Sequence, residues 1–146
     1  MTANTDKPIN IEFKISNIEL VEKSFLIPEI KEGKFPDTQF DLSINFSIDK
    51  PNKKLISVLG VKLKTVPESR MVAGITVACS FDVLNFDEVI ISAGETMGIP
   101  DPVFETLNII TIGTVRGIMF NEFKGTWLHN TILPVIDPKS FKQTAE

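Results

Sequence analysis

VFETLNIITIGTVRGIMFNEF, residues 103–123, predicts a helix that is apolar on nearly every side. Large apolar side chains recur around the whole axis at about 100° per residue, and the remaining positions are mostly Thr and Gly. A helix on the surface of a monomer has one apolar stripe and one polar face. Because a single sheet covers only one side of such a helix, a second surface has to cover the other side.

Four strands precede this helix: the first, second and fourth are indicated by alternating apolar and polar side chains, and the third is apolar on both faces near Leu55 to Leu59. They cover residues 9–20, 40–48, 54–66 and 71–83, with a bulge or bend in the first at Ser16-Asn17. A proline-containing excursion, residues 25–36, separates the first two strands, and residues 84–102 are expected to be irregular. The helix starts at Asp101-Pro102, runs to about Lys124 and is ended by Gly125. This order predicts an α+β fold, a four-stranded antiparallel sheet followed by one long helix.

Composition limits the class of protein. The chain has 146 residues, so we expect one domain, residues 9–146, after a flexible tail of residues 1–8. The net charge of −4 and the absence of a basic stripe argue against a nucleic-acid partner. The sequence shows no signal peptide and no uncharged run long enough to span a membrane, and its single cysteine suits a reducing compartment. We therefore expect a cytoplasmic protein without membrane insertion.

The residues that carry catalytic chemistry are scarce. The only histidine, His129, has no nucleophile motif around it, and the only cysteine, Cys79, lies in the apolar phase of a strand. No Cys/His pair has metal-ligand spacing, and the glycines of residues 93–98 lack the lysine of a phosphate-binding loop. The sequence predicts no enzyme, no metal and no cofactor; an enzyme with an unrecognised site is the least favoured alternative.

Two alternatives remain for what covers the second side of the helix. Residues 84–102 or the C-terminal segment could fold over it, or the helix could pair with its own copy across a two-fold axis. The second alternative favours an oligomer with Ile109, Ile112, Arg116 and Phe120 near a helix–helix contact. The segment KGTWLHNTILPV, residues 124–135 and hereafter the connector, is also rich in apolar residues. Its Trp127, Leu128, Ile132 and Leu133 belong either to the core or to the rim of an apolar groove.

Two stretches carry motifs that are typical of one known family. The first has Phe13-x-Ile15-x-x-Ile18 followed by Ser24-Phe25-x-x-Pro28. The connector has Lys124-Gly125-Thr126-Trp127 and Ile132-Leu133-Pro134-Val135. These motifs resemble the first strand of the SecB export chaperones and the segment after their first helix. That family's second helix and acidic tail would follow Val135, so the sequence resembles a divergent, C-terminally shortened member.

The resemblance implies a homotetramer, a dimer of dimers packed through the helices, that works as an ATP-independent holdase for unfolded or partly folded polypeptides. It implies a client groove of partly exposed side chains, and the residues expected there are Phe25, Phe35, Trp127, Leu128, Ile132, Leu133 and Val135. Glu22 matches one acid of the family's docking face for the SecA motor, but Leu26 replaces another, which weakens the expectation of docking. The alternative function is a SecB-fold adaptor dedicated to one partner, for example an antitoxin or a mobile-element protein.

Overall fold

The computed structural model describes residues 10–141, so the predicted tail and Ile9 lie outside the described residues. Four long antiparallel strands form one sheet in the spatial order β1-β4-β3-β2. The strands are β1 Phe13–Phe25, β2 Thr38–Asp49, β3 Lys54–Thr65 and β4 Met71–Val83. The elements that follow are a short helix α1 Phe86–Val89, a hairpin of β5 Ile91–Ala93 and β6 Thr96–Gly98, the long helix α2 Asp101–Glu122, and one 3-10 turn Pro138–Ser140. The predicted α+β fold is confirmed.

The edge strand β1 is irregular where the sequence predicted a bulge. Its pairing with β4 skips one residue between Ile15 and Asn17 and a second between Leu20 and Glu22. Each skip marks a bulge, which bends a strand and increases its twist. By contrast, β2 and β3 pair without interruption along their whole length.

Helix α2 crosses the inner face of the sheet diagonally. Near its start, the ring of Phe104 packs edge-on against Phe46 of β2, with centroids 5.7 Å apart. At its end, Glu122 forms an ion pair of 2.7 Å with Lys23 of β1. The core lies between α2 and the inward side chains of β3 and β4, and burial of this apolar surface stabilises the fold by roughly 25 cal/mol per Å². Because of the diagonal, α2 approaches β1 only at one end of that strand.

Residues 84–102 are more regular than expected. They form α1 and the small hairpin, and their Phe86, Val89 and Ile99 join the core. The expectation of an irregular segment was wrong because three-residue strands and a single helical turn are too short to show a hydrophobic period.

The connector covers part of the apolar surface of α2. Helix α2 ends at Glu122, two residues earlier than predicted, and Gly125 adopts a φ of 80°, a left-handed conformation that glycine adopts without strain. The chain then turns back beside α2, and Leu128 and Leu133 enter the core. The alternative in which a C-terminal segment covers the helix is therefore correct for one side of α2.

By length and hydropathy, α2 is also the one helix within residues 10–141 that could cross a membrane. Of the 18-residue stretch of α2 that has this hydropathy, 44% is buried against the rest of the fold. This burial is what a helix packed in the core of its own domain shows, so the composition of α2 is weak evidence for a membrane span.

Candidate functional site

Two aromatic rings join the loop between β1 and β2, residues 26–37, to the connector. The ring of Phe35 stacks on Trp127 with centroids 5.1 Å apart and planes inclined by 19°. The indole Nε1 of Trp127 donates a hydrogen bond of 3.3 Å to the carbonyl oxygen of Leu26. Phe35 is 47% exposed and Trp127 is half-buried. We call this contact the aromatic junction; it is an apolar surface held in place by one polar anchor.

Hydrogen bonds at the end of α2 set the path of the connector. The hydroxyl of Thr126 donates to the carbonyl of Phe123 at 2.7 Å and accepts from the amide of Leu128 at 3.1 Å. Farther along, the Arg116 guanidinium donates to the carbonyls of Leu133 and Pro134 at 2.7 and 2.8 Å. Bonds from a charged donor are stronger than neutral ones. These contacts fasten both ends of the connector to α2.

The connector residues predicted for the client groove therefore divide into two sets. Leu128 and Leu133 are each only 1% exposed, so the expectation that they are partly exposed was wrong: they pack in the core of the single chain. Ile132 is exposed and Val135 is 95% exposed. A turn with no helical period brings these neighbours to opposite sides, so the sequence pattern could not separate them.

Phe25 lies at the margin of this surface. It is partly buried against the core, with its ring 6.3 Å from that of Phe123. Of the seven residues expected in the groove, the structure brings Phe35 and Trp127 into direct contact and places Phe25 against Phe123 at the end of α2. It buries Leu128 and Leu133 and leaves Ile132 and Val135 exposed.

Additional apolar residues lie near the junction and were not predicted. Leu26, Ile27 and Ile30 are exposed in the same loop as Phe35. The loop also borders an open pocket of about 510 Å³ against the turn between β3 and β4. Phe35 and Val66 contribute apolar walls, and the rest of the lining is Pro28, Glu29, Lys31, Lys34, Pro36, Asp37, Thr65, Glu68 and Arg70. The signal was available in the sequence, because these apolar residues lie in a proline-containing segment with no strand or helix to bury them.

The four helix residues expected at a subunit contact also divide. Ile109 and Phe120 are more than half exposed, at 57% and 56%. The expectation for Ile112 was wrong, because this side chain is buried in the core of the single chain. The Arg116 guanidinium donates a hydrogen bond to a carbonyl oxygen of the connector. The exposed stripe of α2 consists of Thr106, Ile109, Gly113, Gly117 and Phe120. Within residues 10–141, a Cβ added at either glycine would meet no atom within 4 Å outside the neighbouring part of α2 itself, so the stripe is open at both positions.

The other polar residues considered for a function are Glu22, Cys79 and His129. Glu22 is exposed on β1 beside the second bulge. Burial raises the pKa of the Cys79 thiol, although hydrogen bonds with Thr111 and Thr114 oppose the shift, so the thiol stays protonated and unreactive at neutral pH. One ring nitrogen of the exposed His129 lies 2.9 Å from the carbonyl oxygen of Thr126. Within residues 10–141, no group of three His, Cys, Asp or Glu side chains is placed to hold a metal ion.

The chain is similar to known proteins in structure and not in sequence. No family model matches the sequence, and no curated protein matches it significantly. Among solved structures, the Mycobacterium tuberculosis SecB-like chaperone Rv1957, in complex with a ChAD peptide from the Rv1956 HigA1 antitoxin, superposes with a TM-score of 0.54 at 10% identity. The match covers 85% of this chain and 90% of that one. A Streptococcus agalactiae protein of unknown function gives a TM-score of 0.48 at 11% identity, covering 88% of this chain and 99% of the other. On the first of these matches, the chain has a SecB-like fold.

Proposed function

We propose that this protein is a cytoplasmic, ATP-independent holdase that binds apolar segments of unfolded or partly folded polypeptides. The observation that carries the proposal is the aromatic junction, where two stacked rings from different segments are both partly exposed. The SecB-like fold supports it, because the similar structure from M. tuberculosis is that of a chaperone.

The chemistry of the surface suits a binder of many sequences. Apolar burial has no preferred direction and stabilises a complex by roughly 25 cal/mol per Å², so it tolerates many side chains in a client. Phe35, Ile132 and Val135 each offer a shallow contact, whereas a specific ligand would need a deep pocket with converging polar groups. Several shallow contacts along one chain add through effective concentration.

Self-association would extend this surface. The exposed stripe of α2 has no charged side chain at its five positions, and contiguous apolar patches are uncommon on monomers. We propose that α2 pairs with its copy through this stripe in a homotetramer built as a dimer of dimers. Ile109 and Phe120 would lie in that contact, and one client could then reach more than one aromatic junction.

A second candidate function is a dedicated adaptor for one partner protein. The specific observation in its favour is that the similar M. tuberculosis chaperone was solved with a peptide from an antitoxin. A dedicated adaptor would protect one partner, whereas a general holdase would suppress aggregation of several unrelated denatured proteins. A panel of at least three such proteins, monitored by light scattering, distinguishes the two.

The test of the site uses the two rings. We expect Phe35→Ala and Trp127→Ala to weaken suppression of aggregation, while each variant keeps the fold by circular dichroism. Leu84→Ala is the matched control, since Leu84 is an exposed apolar side chain remote in sequence from both the loop and the connector. If both ring variants stay folded and protect clients as well as the unmodified protein does, the site is wrongly assigned.

A further inference from the structure

The strand β2 forms the edge of the sheet on the side opposite β1. Within residues 10–141, β2 pairs with β3 on one side and with no strand on the other. Its 12 residues pair with β3 without a register shift, and the strand contains no proline and no lysine. Natural edge strands usually carry such residues, or a bulge, which prevent another strand from pairing with them. The edge of β2 therefore presents a regular row of main-chain groups to which an extended segment can add.

The two faces of β2 differ in character. On the core side, Phe40, Leu42 and Ile44 pack against the core and are only partly buried. The side chains of the other face are exposed and polar, and we call them the polar row: Gln39, Asp41, Ser43, Asn45 and Ser47. An added strand would cover the three apolar side chains further with its own core-side residues, and its remaining side chains would lie beside the polar row.

A client segment fits this edge better than a second copy of the chain does. The strand begins at Thr38, close in sequence to Phe35, so a client at the aromatic junction can continue along β2. The strand carries two carboxylates, Asp41 and Asp49, and no cation, and of the two only Asp41 has an ion-pair partner in the described part of the chain, Lys64. Pairing of two copies would bring both sets of carboxylates to one seam, and like charges on adjacent strands are destabilising. A client with basic or hydroxyl side chains beside the polar row avoids this repulsion.

We propose that the edge of β2 is a second client site, which takes an extended client segment as an added β-strand. The client segment has apolar side chains at alternate positions and basic or hydroxyl side chains between them. It contains no proline, because the added strand has to donate main-chain hydrogen bonds. Main-chain bonds are independent of sequence, so this site complements the aromatic junction. The proposal rests on the proposed holdase function.

The first test uses the backbone of the probe. The parent is a fluorescent peptide, Thr-Val-Lys-Val-Lys-Val-Thr-Val, and two derivatives are N-methylated at its valines or at its other residues. In an added strand only one of these sets donates hydrogen bonds to β2. We expect that set's derivative to bind about tenfold more weakly than the parent, since several modest hydrogen bonds are lost, and the other derivative to bind more nearly like the parent. Equal affinity of all three peptides, or no binding of the parent, would overturn the proposal.

The second test places a charge beside the edge. Ser47 and Ser80 lie in one row of the sheet, because both pair with Ile56 of β3. Ser47→Lys puts a cation next to the added strand, whereas the matched control Ser80→Lys puts it three strand spacings away, about 14 Å, where salt screens it. We expect Ser47→Lys to weaken binding of the parent peptide about threefold and to strengthen binding of a version with Glu in place of Lys, while Ser80→Lys changes both little. Equal effects of the two substitutions would contradict the proposal.

The oligomeric state tests the other occupant. We expect Ser47→Lys to keep the sedimentation mass of the unmodified protein. A changed mass would show that a second copy occupies this edge and would also overturn the proposal. If suppression of aggregation depends on Phe35 and Trp127 while peptide binding ignores both N-methylation and Ser47→Lys, the edge site fails and the holdase function stands.

Discussion

Leu133 and Ile132 are neighbours in the connector with opposite surroundings, the first 1% exposed and the second on the surface. We expect Leu133→Ala to lower the free energy of unfolding by about 2–5 kcal/mol, because it opens a cavity in the core. Ile132→Ala should change it by less than about 0.5 kcal/mol, as surface substitutions usually do. Urea unfolding of both variants measures the difference, and equal losses would show that the path of the connector is wrong.

A buried polar pair lies between α2 and the sheet. Ser57 is flanked across the sheet by Phe46 and Cys79, and α2 contacts those two neighbours through Phe104 and Thr111. Among the α2 residues between these two contacts, Asn108 is the buried polar one. Asn108 and Ser57 are both fully buried, and neither side chain has a hydrogen-bond partner within residues 10–141. An unpartnered buried polar group costs about 1–3 kcal/mol of folding free energy.

Most substitutions in a core lower the free energy of unfolding, but at Asn108 we predict an increase. We expect Asn108→Leu to raise the free energy of unfolding by about 1–3 kcal/mol, since it removes an unpartnered group at similar volume. Thr65→Val is the matched control, because the Thr65 hydroxyl oxygen accepts a hydrogen bond from the amide of Arg70, and that variant should lose stability. A loss of stability in Asn108→Leu, measured by thermal unfolding, would mean that the amide is satisfied.

At the scale of elements, α2 combines two roles on different faces. Leu107, Val115 and Met119 hold it to the core, and the stripe through Ile109, Gly113 and Phe120 stays open. Glycine lowers helix stability by roughly 0.5–1 kcal/mol relative to Ala, so two glycines on an exposed face need another explanation. Close approach of a second helix is such an explanation, since small residues let backbones come together.

Substitution of Gly113 separates the two explanations. The site has open space within the chain, so Gly113→Leu should raise the thermal stability of the isolated protomer through helix propensity. If copies pack closely on this stripe, the added side chain should also lower the molar mass measured by light scattering, with Gly113→Ala intermediate. An oligomer of unchanged mass in Gly113→Leu would contradict pairing through this stripe.

The sequence predicted the elements better than it predicted the contacts between them. The four strands and α2 could be predicted because the alternation in β2 and β4 and the apolar run of α2 persist over many residues. The burial of Leu128 and Leu133 could not be predicted, because a turn without a hydrophobic period does not indicate which side chains face the core. The hydrogen bonds from Arg116 to two connector carbonyls were not predicted, because only the tertiary fold brings these carbonyls to it; its place near a subunit contact stays a prediction.

At the scale of the whole molecule, one layer of sheet and one helix leave apolar side chains exposed at several places within residues 10–141. Among these are the aromatic junction at Phe35 and Trp127 and the α2 stripe at Ile109. A domain of this size buries most of its apolar surface on folding. The proposed client binding and assembly would cover these two surfaces.

Trp127 allows the central claim to be measured directly. It is the only tryptophan in a chain without tyrosine, so the emission of the native protein reports the aromatic junction alone. We propose to titrate the protein with a reduced, carboxymethylated and tryptophan-free polypeptide while recording this emission. If clients bind at the junction, the emission should shift to shorter wavelength and saturate at the concentrations that suppress aggregation, because the half-buried indole loses its contact with water. An unchanged emission at concentrations where aggregation is suppressed would contradict the account.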